Sequence, residues 1–257
     1  MDFITAHYTD VGRTKETNQD SFALKVVSTN NGNAAFCVVC DGMGGLAKGE
    51  LASKEVTMAF CEWFNNDFAN MLRMDNFTEY KLHEQWAAVI HSENMRISQF
   101  AKENDITMGT TATVILFYDN RYFAIHVGDS RIYLVNDVLE QLTTDHTLVA
   151  SEISAGRLTS DQAKSDPRRS VLLQCVGASP IVEPEFVVGD VLGELSFVLC
   201  SDGFRHEVTE EEIYQQFAPQ FISSKEKLEI SCEKLTGLAM SRGENDNITV
   251  VVIKVKS

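Results

Sequence analysis

The chain has 257 residues and carries 37 acidic against 22 basic side chains, a formal charge of -15 at pH 7. That balance argues against nucleic acid or an anionic membrane surface as a general partner, while the length suffices to bury one large core. The start, Met1-Asp2-Phe3-Ile4-Thr5, has no basic segment followed by an apolar stretch, and no later window approaches a membrane span, so a soluble, cytoplasmic protein is expected. The six cysteines, Cys37, Cys40, Cys61, Cys175, Cys200 and Cys232, lie mostly in apolar runs and read as reduced core residues.

In chain order, short β-branched runs predict strands over 20–27 and 34–40, joined by Asn30-Asn31-Gly32-Asn33. Helices are predicted over 47–64 and 79–104, the second from Leu82, Trp86, Val89, Ile90, Ile97 and Phe100 at near-helical spacing. Strands follow over 112–118, 122–127 and 131–135, the first two joined by the turn Tyr118-Asp119-Asn120-Arg121. The polar stretch 144–180, with Gly156, Pro167 and the Arg168-Arg169 pair, separates two blocks of strands and reads as a helical flap or a surface excursion. A strand over 196–200, a short helix after Thr209 with a capping box to Glu212, a helix over 224–241 and a strand over 248–255 complete the chain. Strands and helices do not alternate one by one, which predicts an α+β layered domain rather than a doubly wound parallel sheet.

Acidic residues recur at strand exits. Phe36 to Cys40 runs into Asp41-Gly42, Phe197 to Ser201 runs into Asp202-Gly203, Asp129 follows the strand ending at Val127, and Asp246 precedes the closing strand. Hard cations take oxygen ligands from several rigid elements at once, so this pattern points to Mg²⁺ or Mn²⁺. Few histidines and no clustered Cys/His set argue against zinc. Cys37 and Cys40 have C-x-x-C spacing, but a strand sends them to opposite faces. No cysteine has an arginine at the spacing of a thiol-dependent phosphatase loop, and no Gly-x-x-x-x-Gly-Lys-Ser/Thr occurs.

Together Thr17-Asn18-Gln19-Asp20-Ser21, Asp41-Gly42-Met43-Gly44-Gly45, Gly109-Thr110-Thr111-Ala112, Gly128-Asp129-Ser130-Arg131, Ser201-Asp202-Gly203 and Asp246-Asn247 resemble, in order and spacing, the metal-dependent type 2C protein serine/threonine phosphatases in their compact bacterial form. The resemblance spans nearly the whole chain and implies one catalytic domain over 1–257, with 144–180 as a flap. It implies a four-layer α-β-β-α sandwich, two antiparallel sheets flanked by helices, with two Mn²⁺ or Mg²⁺ ions at one end. By the same resemblance Asp41 would bridge both ions, Gly42 would offer its carbonyl, Asp202 and Asp246 would bind one ion, and Asp20 would hold metal-associated water. Asp129 would support a third, weaker site.

The implied reaction is hydrolysis of phosphoserine or phosphothreonine by direct attack of a metal-bridging hydroxide. Its implied partners are phosphoproteins, including a Ser/Thr kinase and its targets, acting on a monomeric enzyme. Lys15 stands where the family usually has a phosphate-binding arginine, and Arg13 would share its face if the segment is extended. Met43 stands where many eukaryotic members have a histidine. His126 reads as structural, and His146 as a candidate substrate contact at the start of the flap. The alternative function is a pseudophosphatase that binds phosphoproteins without turnover.

Overall fold

A computed structural model of the chain describes residues 1–43 and 48–257. Gly44 and Gly45 of the predicted glycine-rich motif, and Ala47 at the start of the predicted first helix, lie outside the described residues.

The chain opens with β1 (Asp2–Asp10), β2 (Asp20–Thr29) and β3 (Gly32–Met43), followed by α1 (Gly49–Trp63). A π-helical turn, Phe64–Phe68, leads from α1 into α2 (Ala69–Arg73), and α3 (Glu79–Glu103) comes next. The middle of the chain forms β4 (Gly109–Thr110), β5 (Ala112–Tyr118), β6 (Arg121–Val127), β7 (Arg131–Val135) and β8 (Leu139–Gln141). Two short helices, α4 (Leu148–Ser154) and α5 (Ser160–Lys164), occupy the polar stretch, ahead of β9 (Glu185–Asp190) and β10 (Glu194–Cys200). The last elements are α6 (Asp202–Arg205), α7 (Glu210–Phe217), α8 (Lys225–Arg242) and β11 (Ile248–Lys256).

The strands form two antiparallel sheets. One has the order β1-β11-β10-β7-β8, the other β2-β3-β5-β6-β9 with β4 paired to β3. Strand alternation in β3 decides the layering: Ala35, Cys37 and Val39 enter the core between the sheets, while Phe36, Val38 and Cys40 enter the core beneath α1 and α3. A third core lies beneath α6, α7 and α8, built on Phe204, Ile213, Phe217, Leu228 and Leu235. The result is the four-layer α-β-β-α sandwich. Cys37 and Cys40 do lie on opposite faces, and all six cysteines are unpaired.

Local chemistry explains the junctions. Asp119 and Asn120 adopt φ of 52° and 57°, the left-handed pair that a tight turn between β5 and β6 requires. Thr209 and Glu212 close the capping box that starts α7. Among the described residues, no helix is long and apolar enough to cross a membrane.

Three features differ from the sequence expectation. β1 pairs with β11 over nine residues and turns Ile4, Ala6 and Tyr8 toward one core, but only Ala6 is fully buried, so its apolar signal is faint. β9 at the edge of the second sheet has no fully buried residue and is equally faint. The predicted helix over 47–64 continues through the π turn, where Phe64 and Phe68 stack at 5.2 Å and extend the apolar face.

Candidate active site

The sandwich gathers the acidic strand ends at one edge. Asp20 begins β2 and pairs directly with Asp41 near the end of β3, in the second sheet. In the first sheet, β10 ends at Cys200 and delivers Asp202 as the first residue of α6, while β11 begins just after Asp246-Asn247. Asp129 sits in the crossing from β6 to β7, which joins the two sheets.

Hydroxyl and amide side chains tie these ends together. Ser201 Oγ donates to Asp20 Oδ2 at 2.8 Å across the gap between the sheets, and accepts from the Thr249 amide at 3.0 Å. The Asp41 amide donates to Thr111 Oγ1 at 2.8 Å, and that hydroxyl lies 2.8 Å from Ser130 Oγ. The Asn247 side chain accepts from the Gln19 amide and donates to the Val11 and Thr17 carbonyls, pinning the loop ahead of β2. A Cβ on Gly42 would lie 2.2 Å from the Gly49 carbonyl oxygen and 2.5 Å from that of Gln19, so only glycine fits there.

The electrostatics of this edge are unbalanced. Burial, then repulsion from Asp202 and Asp246, pushes Asp20 up to about 7 against the hydrogen bonds from Thr249 and Ser201. Burial and the charges of Asp20, Asp202, Asp129 and Asp246 drive Asp41 well above the ordinary carboxylate range. Asp20 Oδ1 is buried with no hydrogen-bond partner. Orphaned buried carboxylate oxygen of this kind is what a hard cation or its water would satisfy.

Among the described residues, no three His, Cys, Asp or Glu side chains already enclose a single point. Asp41, Asp202, Asp246 and the Gly42 carbonyl are all oxygen donors, the ligand chemistry a hard cation takes, usually together with water.

Lys15 lies inside this field, its ammonium 2.7 Å from Asp246 Oδ1. Burial alone would lower its pKa, but the Asp246 hydrogen bond and the charges of Asp246, Asp41 and Asp202 carry it above the ordinary value. Arg13 does not join it. Residues 12–14 form a turn rather than an extended segment, and Arg13 donates to the Met240 carbonyl at 3.0 Å instead.

Asp129 also departs from expectation. Its carboxylate and its carbonyl both accept from Arg205, at 3.2 and 3.0 Å. Burial and Asp202 nevertheless push it up to about 7. Asp129 thus already has a buried cationic partner in Arg205.

His126 is structural, held between the Thr113 hydroxyl and the Gly128 carbonyl at 2.9 Å each, and burial lowers it to about 3. His146 lies beside it, with Nδ1 3.3 Å from the Gly128 amide. In the polar stretch, Arg168 pairs with its neighbour Asp166 at 2.8 Å on an exposed surface.

Sequence reasoning missed several supporting groups. His206 stands 3.6 Å from Asp202 and 3.3 Å from Glu244, and Glu244 accepts from the Asn245 and Asp246 amides, so one chain of contacts links Asp202 to the Asp246 loop. That hydrogen bonding overcomes burial and lowers Glu244 to about 2.

Comparison with known proteins decides the family. The family model described as protein phosphatase 2C matches residues 10–236. This chain belongs to the protein phosphatase 2C family. It is 31% identical over 252 residues to protein phosphatase PhpP of Streptococcus pneumoniae, covering 96% of this chain and 95% of that one. The serine/threonine phosphatase structure of S. agalactiae superposes with a TM-score of 0.81 at 28% identity, covering 99% of this chain and 100% of that chain. The catalytic domain of PstP, a serine threonine protein phosphatase solved with two manganese ions, superposes with a TM-score of 0.77 at 31% identity over 99% of each chain. PstP is a protein of Mycobacterium tuberculosis.

Proposed function

We propose that this chain is a metal-dependent protein phosphatase that hydrolyses phosphoserine and phosphothreonine, with Asp41, the Gly42 carbonyl, Asp202 and Asp246 holding two Mn²⁺ or Mg²⁺ ions. The observation that carries the reading is the convergence of these carboxylates, from both sheets, on an edge whose own cations are too few to balance them. When bound, two such ions activate water and neutralise phosphate oxygens for in-line displacement.

The chain's own residues do the rest. Asp41, fixed by Thr111 and by the packing of Gly42 against Gly49, faces the acid cluster from the second sheet. Asp20, held by Ser201, is placed to accept a proton from water at the edge of the cluster. Lys15 binds a phosphate oxygen as a point charge once Asp246 is engaged elsewhere, without the bidentate fork of arginine. Met43 carries no proton to donate, so protonation of the leaving alkoxide falls to water or another group.

The reading extends to a chain that acts as a monomer in the cytoplasm on phosphoproteins, among them a Ser/Thr kinase and its targets. The stretch 144–180 serves as the flap at which substrate protein is met, with His146 at its base.

The test is hydrolysis of a phosphothreonine peptide by metal-stripped protein with Mn²⁺, Mg²⁺ or no addition. Turnover is expected only with metal, and Asp41→Asn and Asp202→Asn are each expected to lose about 100-fold or more, the scale of removing one preorganised electrostatic group. Folded, metal-binding protein with no turnover on varied phosphopeptides would instead establish a phosphoprotein-binding pseudophosphatase.

A further inference from the structure

Asp129 is a strand-exit acid of the cluster with a buried arginine as its partner. Arg205, the last residue of α6, turns back across the β6–β7 crossing. Its Nη2 donates to Asp129 Oδ2 at 3.2 Å and to the Asp129 carbonyl at 3.0 Å, and its Nε donates to that carbonyl at 3.3 Å. The same Nη2 lies 3.5 Å from Asp145 Oδ2, and Asp145 is gripped by Arg131 through two bonds of 2.8 and 2.7 Å. Only 11% of the Arg205 side chain and 7% of that of Asp129 is exposed.

We propose that the Arg205 guanidinium is a built-in cation standing where an ion on Asp129 would sit, so that this chain holds two metal ions and not three. The inference rests on the two-ion reading of Asp41, Asp202 and Asp246. Two physical facts carry it. A hard cation on Asp129 would have to share or displace the carboxylate oxygen that already accepts from Arg205. A guanidinium also cannot shed its proton to make room, so a divalent ion there would face an unremovable positive charge at van der Waals distance. Arg131, Asp145, Arg205 and Asp129 alternate in sign along one largely buried run of ion pairs. The consequence for turnover is that activity rises with Mn²⁺ in a single saturating phase, with no weak second phase.

Equilibrium dialysis of the metal-stripped full chain against Mn²⁺, extended to millimolar concentrations, counts the ions. Two equivalents are expected for the wild type, two for Asp129→Asn, three for Arg205→Ala and two for Arg205→Ala combined with Asp129→Asn. Three equivalents in the wild type, falling to two in Asp129→Asn, would overturn the inference. So would a folded Arg205→Ala protein that still binds two. If circular dichroism shows that Arg205→Ala does not fold, the wild type and Asp129→Asn decide alone, equal counts of two supporting the inference. No Mn²⁺ bound by a folded wild type would instead remove the two-ion reading beneath it.

Discussion

Lysine at position 15 concentrates what is individual about this site at the scale of one residue. Its ammonium sits 2.7 Å from Asp246 and feels Asp41 and Asp202 as well, so it is an internal counter-ion of the cluster, and in the proposed reaction it also anchors phosphate. Lys15→Met removes a charged hydrogen bond of about 1.5–3 kcal/mol. Steady-state kinetics on a phosphopeptide are therefore expected to show kcat/KM lowered by roughly 10- to 100-fold, mostly through KM. Lys15→Arg is expected to retain or improve binding, because the fork adds a second bond to phosphate. Lys15 is a candidate in the sequence through the family resemblance, which puts a phosphate-binding arginine at its position. Arg205, His206 and Glu244 are not, because nothing in Phe204-Arg205-His206 or in Gly243-Glu244 distinguishes a charge aimed inward from one on a solvated helix end. Arg13 misled for the opposite reason: its place beside Lys15 assumed an extended chain, and the turn over 12–14 sends it to the end of α8.

The strand ends, not the helices, carry the chemistry at the scale of elements. Runs that are buried on both faces, such as β5, β10 and the centre of β3, announce themselves as unbroken apolar stretches, and each leads into or lies beside a site residue. The edge strands β1 and β9 have no such signature, because their side chains are shared between protein and solvent. They pair through the backbone, which no side-chain pattern reports.

Two substitutions test how far the elements depend on the joint between sheets. Phe197 on β10 meets Phe117 at 4.8 Å and Tyr122 at 5.0 Å in the inter-sheet core. Phe197→Ala is expected to cost about 3–5 kcal/mol in urea unfolding. Ser201→Ala removes one of the donors that reach Asp20 from the other sheet and is expected to cost about 1–3 kcal/mol while lowering activity, which a merely structural contact would not do.

Charge governs the behaviour of the whole molecule. Asp20 and Asp129, both raised to about 7 from an ordinary 3.8, hold protons in the folded state that the unfolded chain has already released. Unfolding thus releases protons across that window, so stability of the metal-free protein is expected to fall as pH rises from about 4 to about 7. Thermal melts across pH check this. Bound Mn²⁺ keeps the ligand carboxylates and Asp20 ionised and is expected to flatten that slope. At 100 times its dissociation constant an ion adds about 2.7 kcal/mol, or roughly 5–10 °C in a chain of this size. Part of the formal charge of -15 comes from the buried carboxylates of this cluster rather than from the surface.

The most direct test of the central claim is an anomalous-difference map from crystals grown with Mn²⁺. Two peaks roughly 3.5–4 Å apart are expected on either side of the Asp41 carboxylate, one of them also touching Asp202 and Asp246. Manganese bound elsewhere, with the Asp41 carboxylate free of any ion, would contradict it.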